Sequence, residues 1–134
     1  MIQIFTARFI ATQINRNSQG PYLALMCEFQ QGTGMVRSSR FYNLHGTDEE
    51  MQEMKRELAL LGFHGEIVSL RDAGIHNGSK VMPFGTDVEI QVSEGSGKHA
   101  GKLFINSIRP LNASPFFRIP SMDEDLEEIK KITI

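Results

Sequence analysis

Phe41-Tyr42-Asn43-Leu44-His45-Gly46-Thr47 is the stretch on which the fold turns. On its N-terminal side, about forty residues alternate apolar and polar with period two, as half-buried strands do. On its C-terminal side the period becomes helical, with Met51, Met54, Leu58 and Leu61 on one stripe. Thr47 and Glu50 make a Thr-x-x-Glu capping box, and Asp48, Glu49 and Glu50 set negative charge against the positive end of the helix dipole. Gly62 supplies the stop, so the spacing predicts one helix over residues 47–61.

Working outward from that junction, residues 2–14 alternate with Phe5, Ala7, Phe9 and Ala11 on one face. The run Asn15-Arg16-Asn17-Ser18-Gln19-Gly20-Pro21 is a turn signal, after which residues 22–30 place Leu23, Leu25, Cys27 and Phe29 on one side. Gln31-Gly32-Thr33-Gly34 turns the chain again into a third strand over residues 35–44, which makes a three-stranded antiparallel meander. Beyond the helix, residues 69–73 predict a short helical turn. Residues 87–93 form a strand with Val88, Ile90 and Val92 inward. A glycine-rich hairpin, Gly95-Ser96-Gly97-Lys98-His99-Ala100-Gly101-Lys102, leads to a last strand over residues 102–109. Three strands, one helix and two strands predict a mainly β chain, a five-stranded OB-fold barrel with the helix between strands three and four. Residues 1–121 are expected to form this domain. Residues 122–134, with Leu126 and Ile129 at helical spacing, form an acidic C-terminal helix or tail.

Composition sets the class. At 134 residues, 40% hydrophobic and 22% charged, the chain is long enough to bury a core without staples. Cys27 is the only cysteine and has no internal disulfide partner. The first residues lack the basic flank and apolar run of a signal peptide, and no stretch is apolar enough to span a bilayer, so a cytoplasmic location is expected, in a bacterium or a phage-infected host. The net charge of -2 is unevenly spread. Residues 122–134 carry five acids and two bases, and residues 48–57 carry the same, leaving ten bases against six acids on the strands and loops. A mild cationic excess on the sheet permits phosphate binding.

Catalytic and metal chemistry find little support. The four histidines, at 45, 64, 76 and 99, do not cluster with Cys27 or with one another at ligand spacing, so no metal and no cofactor are expected. No Ser-His-Asp or Cys-His arrangement is present, which leaves an enzyme reading without residues. The glycines of the hairpin have the wrong spacing for a P-loop, and a strand rather than a helix follows them. Single-strand binding, in contrast, needs exposed rings for bases and cations for phosphates. Phe5, Phe9, Phe29 and Phe63 belong to the core by pattern. Tyr22 and Tyr42 suit half-exposed positions, with Phe104 and the Phe116-Phe117-Arg118 run behind them. On the third strand Arg40 shares a face with Tyr42, and Arg37 shares the other with Phe41; alternation leaves open which face binds. Arg8 and Arg16 on the first strand and its turn, with Lys98 and Lys102 on the hairpin, complete the candidate set.

The 41–47 junction, the Leu58-Ala59-Leu60-Leu61-Gly62-Phe63 helix end and the Gly85-Thr86-Asp87-Val88-Glu89-Ile90-Gln91-Val92 strand with the strand over residues 102–109 together resemble phage and plasmid single-stranded DNA-binding proteins. The resemblance covers most of residues 1–110 and is architectural. It implies sequence-independent binding and protection of single-stranded DNA during replication or recombination, by a homo-oligomer with a dimer favoured. The acidic segment resembles the tails through which such proteins recruit replication or recombination partners, although Lys130-Lys131-Ile132-Thr133-Ile134 replaces the acidic, aromatic-ended tip. The expected function is therefore non-catalytic single-stranded DNA binding. The alternatives are a protein-interaction or structural module on the same barrel, and a small enzyme or ligand-binding β barrel.

Overall fold

The computed structural model describes residues 2–111; the Phe116-Phe117-Arg118 run and the acidic segment 122–134 lie outside the described residues, as does the side chain of His99. Among the described residues, six strands and one α-helix follow in the order β1 (Ile2–Asn17), β2 (Gly20–Gln31), β3 (Gly34–Asn43), α1 (Asp48–Leu60), β4 (Asp72–Gly74), β5 (Asp87–Glu94) and β6 (Leu103–Pro110). The chain is mainly β. All ladders are antiparallel, and the sheet runs β3-β2-β1-β5-β6 with β4 as an extra partner of β1.

β1 organises the sheet because it is long enough to serve two neighbours on one edge. Its first half pairs with β5, from Ile2 opposite Ser93 to Arg8 opposite Asp87, and its second half pairs with β4 at Ala11–Gln13. A bulge at Ile10, between the Phe9–Cys27 and Ala11–Met26 pairs of the β1–β2 ladder, marks the handover. The extra residue shifts the alternation, as bulges do. The expected inward row Phe5, Ala7, Phe9, Ala11 is thus corrected to Phe5, Ala7, Phe9, then Thr12 and Ile14, which sit opposite inward-facing Leu25 and Leu23.

Two further expectations change. Residues 69–73 do not form a helical turn; a 3-10 turn over Ile67–Leu70 precedes β4. The short strand was invisible to periodicity because three residues carry no period. Nor does a backbone ladder close the sheet among the described residues. β3 and β6 come side by side, where the Ser38 hydroxyl donates to the Leu103 carbonyl at 2.9 Å.

The core lies between the inner face of this curled sheet and α1. Phe9, Leu23, Leu25, Ile90, Val92 and Ile108 meet Met54 and Leu58 there, all essentially excluded from solvent. Each such side chain contributes about 1.5–3 kcal/mol by leaving water. The Phe5 and Phe29 rings add a tilted contact at 5.0 Å. The helix starts where its sequence dictates: Thr47 caps it, accepting from the Glu50 amide at 3.2 Å.

Candidate nucleic-acid interface

The two faces of β3 have different fates, and a residue on α1 decides which is which. Glu57 falls three positions after Met54 and four before Leu61, on the buried stripe of the helix, and its side chain is only 7% exposed. A buried carboxylate needs donors. It takes them from β3 and β6: the Tyr42 hydroxyl, Arg40 through Nε and Nη2 at 3.4 Å each, and the Ser107 hydroxyl at 3.1 Å. A bulge in the β5–β6 ladder, with Asn106 as the extra residue, accompanies the turning of Ser107 toward this site. Arg40 also donates to Glu53 at 3.2 Å and lies 4.5 Å from the centre of the Tyr42 ring. Burial, reinforced by the Glu57 charge, pushes the Tyr42 phenol well above its usual range.

Tyr42 is 6% exposed and Arg40 is tied to the helix, so neither can meet a base or a phosphate in this arrangement. Both leave the candidate set. With Tyr42 held inward, alternation turns Phe41 outward, where it is 51% exposed. Its ring meets that of Tyr22 edge to face at 5.7 Å, a T-shaped pair on the outer surface of β2 and β3.

The same outer surface continues along the strands to the remaining cations. The ladders place Arg8, Glu28 and Arg37 in one cross-strand row. Arg37 donates to Glu28 at 3.0 Å but is 68% exposed, so the pair is a solvated one of small energy. Arg8 is exposed, and its guanidinium lies 3.7 Å from where a Cβ on Gly85 would be. Between the rings and this row, Gln13, Ala11 and Met26 line a groove of about 470 Å³ whose side is formed by Ile75 and His76. Those two belong to a 3-10 turn, Ile75–Asn77, knit to β4 and Ser79: the Asn77 amide oxygen accepts from the Gly74 and Ser79 backbone amides at 3.2 Å each, and its nitrogen donates to the Asp72 carbonyl at 2.8 Å. His76 Nε2 lies 3.0 Å from Asp72 Oδ1. Gly74 permits the close seat, since a Cβ there would lie 2.7 Å from the Ile10 carbonyl oxygen.

The other candidates fall elsewhere. Arg16 is exposed opposite Pro21, at the β1–β2 turn beyond the ring pair. Lys98 and Lys102 are exposed on the β5–β6 hairpin, at the far end of the sheet, where Ser93 pairs with Ile2. Phe104 is half-buried opposite Ser93, on the β5–β6 half of the sheet rather than the β2–β3 half. The structure therefore gathers Arg8, Tyr22 and Arg37 on one surface and separates Lys98, Lys102 and Phe104 from it. Phe41, Met26 and Gln13 are the residues that sequence reasoning did not select. An acid on the buried stripe of α1 was the available signal: Glu57 required donors, and Tyr42 with Arg40 was the only tyrosine–arginine pair alternating on a neighbouring strand.

Cys27 is buried in β2, and burial pushes its thiol up to about 12, which leaves it inert as a nucleophile. Among the described residues, no three His, Cys, Asp or Glu side chains are placed to share a metal ion, and no helix is long and apolar enough to cross a membrane. No family model matches the chain, and no curated protein does either.

Proposed function

We propose that the chain binds single-stranded DNA without sequence preference across the outer face of β1, β2 and β3. The observation that carries this reading is the Tyr22–Phe41 ring pair, with Tyr22 half-buried and Phe41 open to solvent, on the surface that also holds Arg8 and Arg37. Rings on such a face stack any base, because every base has a π-face, and arginines hold the backbone. Strand order supports an OB-type barrel: β3-β2-β1 is continued by β5 and β6, the helix sits between the third strand and the later pair, and β3 lies beside β6. In that description β4 is an addition to the fourth-strand edge of β1. Protection of single strands in replication or recombination, assembly as a dimer, and partner recruitment through the acidic segment belong to the same proposal.

A second reading, a non-catalytic protein-docking module, is favoured by one observation: Glu28 offsets Arg37 in the cation row, so the face that exposes Phe41 carries a modest net charge. Titration with single-stranded, duplex and RNA oligonucleotides at rising salt separates the two. DNA binding predicts preference for single strands, with log K falling against log salt by about 0.7 per phosphate contacted. Absence of oligonucleotide binding at low salt would leave the docking module.

A further inference from the structure

The geometry points to a single strand that runs lengthwise along β2 and β3, from the Tyr22–Phe41 ring pair to the Arg8–Arg37 row, rather than across the sheet to the β5–β6 hairpin. This rests on the proposed single-strand binding and specifies its track. Tyr22 stands six residues from Glu28 on β2, and Phe41 stands four from Arg37 on β3. At about 3.3 Å per residue the outer surface between the rings and the cation row is about 13–20 Å long. That length suits about four nucleotides, the lower end of site sizes for single OB-type barrels.

One side of the track is walled. β4 pairs with β1 at the level of Ala11, and the turn that follows it seats Ile75 and His76 against the outward side of β1. A strand crossing from β2 over β1 toward β5 would meet those two side chains at that level. The turn is not a loose flap, because three hydrogen bonds from the single Asn77 side chain knit it to β4 and to Ser79. Lys98 and Lys102 lie off the track for a second reason. Their hairpin begins beyond the Ile2–Ser93 pair, six residues along β1 from Arg8 and so about 20 Å away. The ring end therefore holds a base, the groove floored by Ala11 and Met26 holds the next bases, and Arg8 and Arg37 hold the phosphates that leave it.

A length series of oligothymidylates from two to twelve nucleotides, titrated at low salt into the wild-type chain, Phe41→Ala, the double variant Arg8→Ala/Arg37→Ala and the double variant Lys98→Ala/Lys102→Ala, tests this track. All five positions are exposed, and circular dichroism confirms that each variant is folded. Wild-type affinity should climb steeply to about four nucleotides and then flatten. Phe41→Ala should cost about ten-fold, and the arginine double variant should flatten the salt slope by about 1.4. The lysine double variant should stay within two-fold of wild type. Affinity that keeps climbing steeply past eight nucleotides, or a lysine double variant as weak as the arginine one, overturns the lengthwise track while leaving single-strand binding intact. Failure of the wild-type chain to bind any oligonucleotide overturns both.

Discussion

The inward and outward faces of β3 carry similar chemistry, an arginine and an aromatic two or four residues away, yet the fold uses them in opposite ways. Inward, Arg40 and Tyr42 of β3 surround Glu57 together with Ser107 of β6 and fasten the helix to two strands. Outward, Arg37 and Phe41 stand in solvent. The lesson is that a cation beside a ring does not mark a ligand site until the buried acids of the chain have been assigned their donors. An unpaired carboxylate inside the protein would cost more than any exposed contact returns. The inward pair is therefore claimed first, and the outward pair is what remains to meet a ligand.

The largest effect should come from breaking the inward side. Glu57→Ala leaves the Tyr42 and Ser107 hydroxyls without their acceptor and Arg40 with Glu53 alone, and should cost about 3 kcal/mol or more of stability, read as a lowered urea midpoint. A loss under about 1 kcal/mol would mean that the carboxylate is not the anchor. Gly74→Ala places a methyl 2.7 Å from the Ile10 carbonyl oxygen, forcing β4 away from the β1 bulge at a cost of about 1–3 kcal/mol in the same assay. It should also weaken oligonucleotide binding by moving the Ile75–His76 wall.

The outward side should show the reverse pattern. Phe41→Ala should alter stability by no more than about 0.5 kcal/mol while lowering single-strand affinity by about 1–3 kcal/mol. Large destabilisation by this variant would place Phe41 with the core residues.

Alkaline pH sharpens the inward side further. Burial pushes the Cys27 thiol up to about 12, from 9.0 for an ordinary thiol, and raises the Tyr42 phenol as well. Above pH 9.0 the unfolded chain loses a thiol proton that the folded chain retains. Stability is then full below that pH and falls as pH rises toward the folded value, at up to about 1.4 kcal/mol per unit for each group. Urea midpoints at rising pH should decline over that window, and Cys27→Ala should make the decline shallower; midpoints constant up to pH about 11 would contradict the buried-thiol account.

The smallest effect is expected at Thr12, whose hydroxyl is fully buried with no hydrogen-bond partner among the described residues. Thr12→Val keeps the shape and removes the unsatisfied group, so stability should hold or rise by about 1 kcal/mol. A clear loss would reveal a partner for that hydroxyl.

Much of the fold was legible because its elements are long and periodic. The capping box at Thr47 and Glu50 marked the helix start, and the turns at 15–21 and 31–34 marked the first two hairpins. β4 and the two bulges were not legible, since three residues have no period and one inserted residue resets a period of two. The site was half legible for the same reason. Tyr22, Arg8 and Arg37 fall on the outer face, whereas Arg40 and Tyr42 do not, because alternation along one strand specifies two faces without saying which is inside. Glu57, on a stripe otherwise apolar, held that information, but it becomes readable only when the helix and β3 are known to pack together.

The most direct test of the two-face account is the response of aromatic side-chain resonances to a short oligothymidylate at low salt. We expect the ring signals of Tyr22 and Phe41 to shift on titration while those of Tyr42 stay in place. Shifts confined to Tyr42, or no ring responding to saturating oligonucleotide, would contradict it.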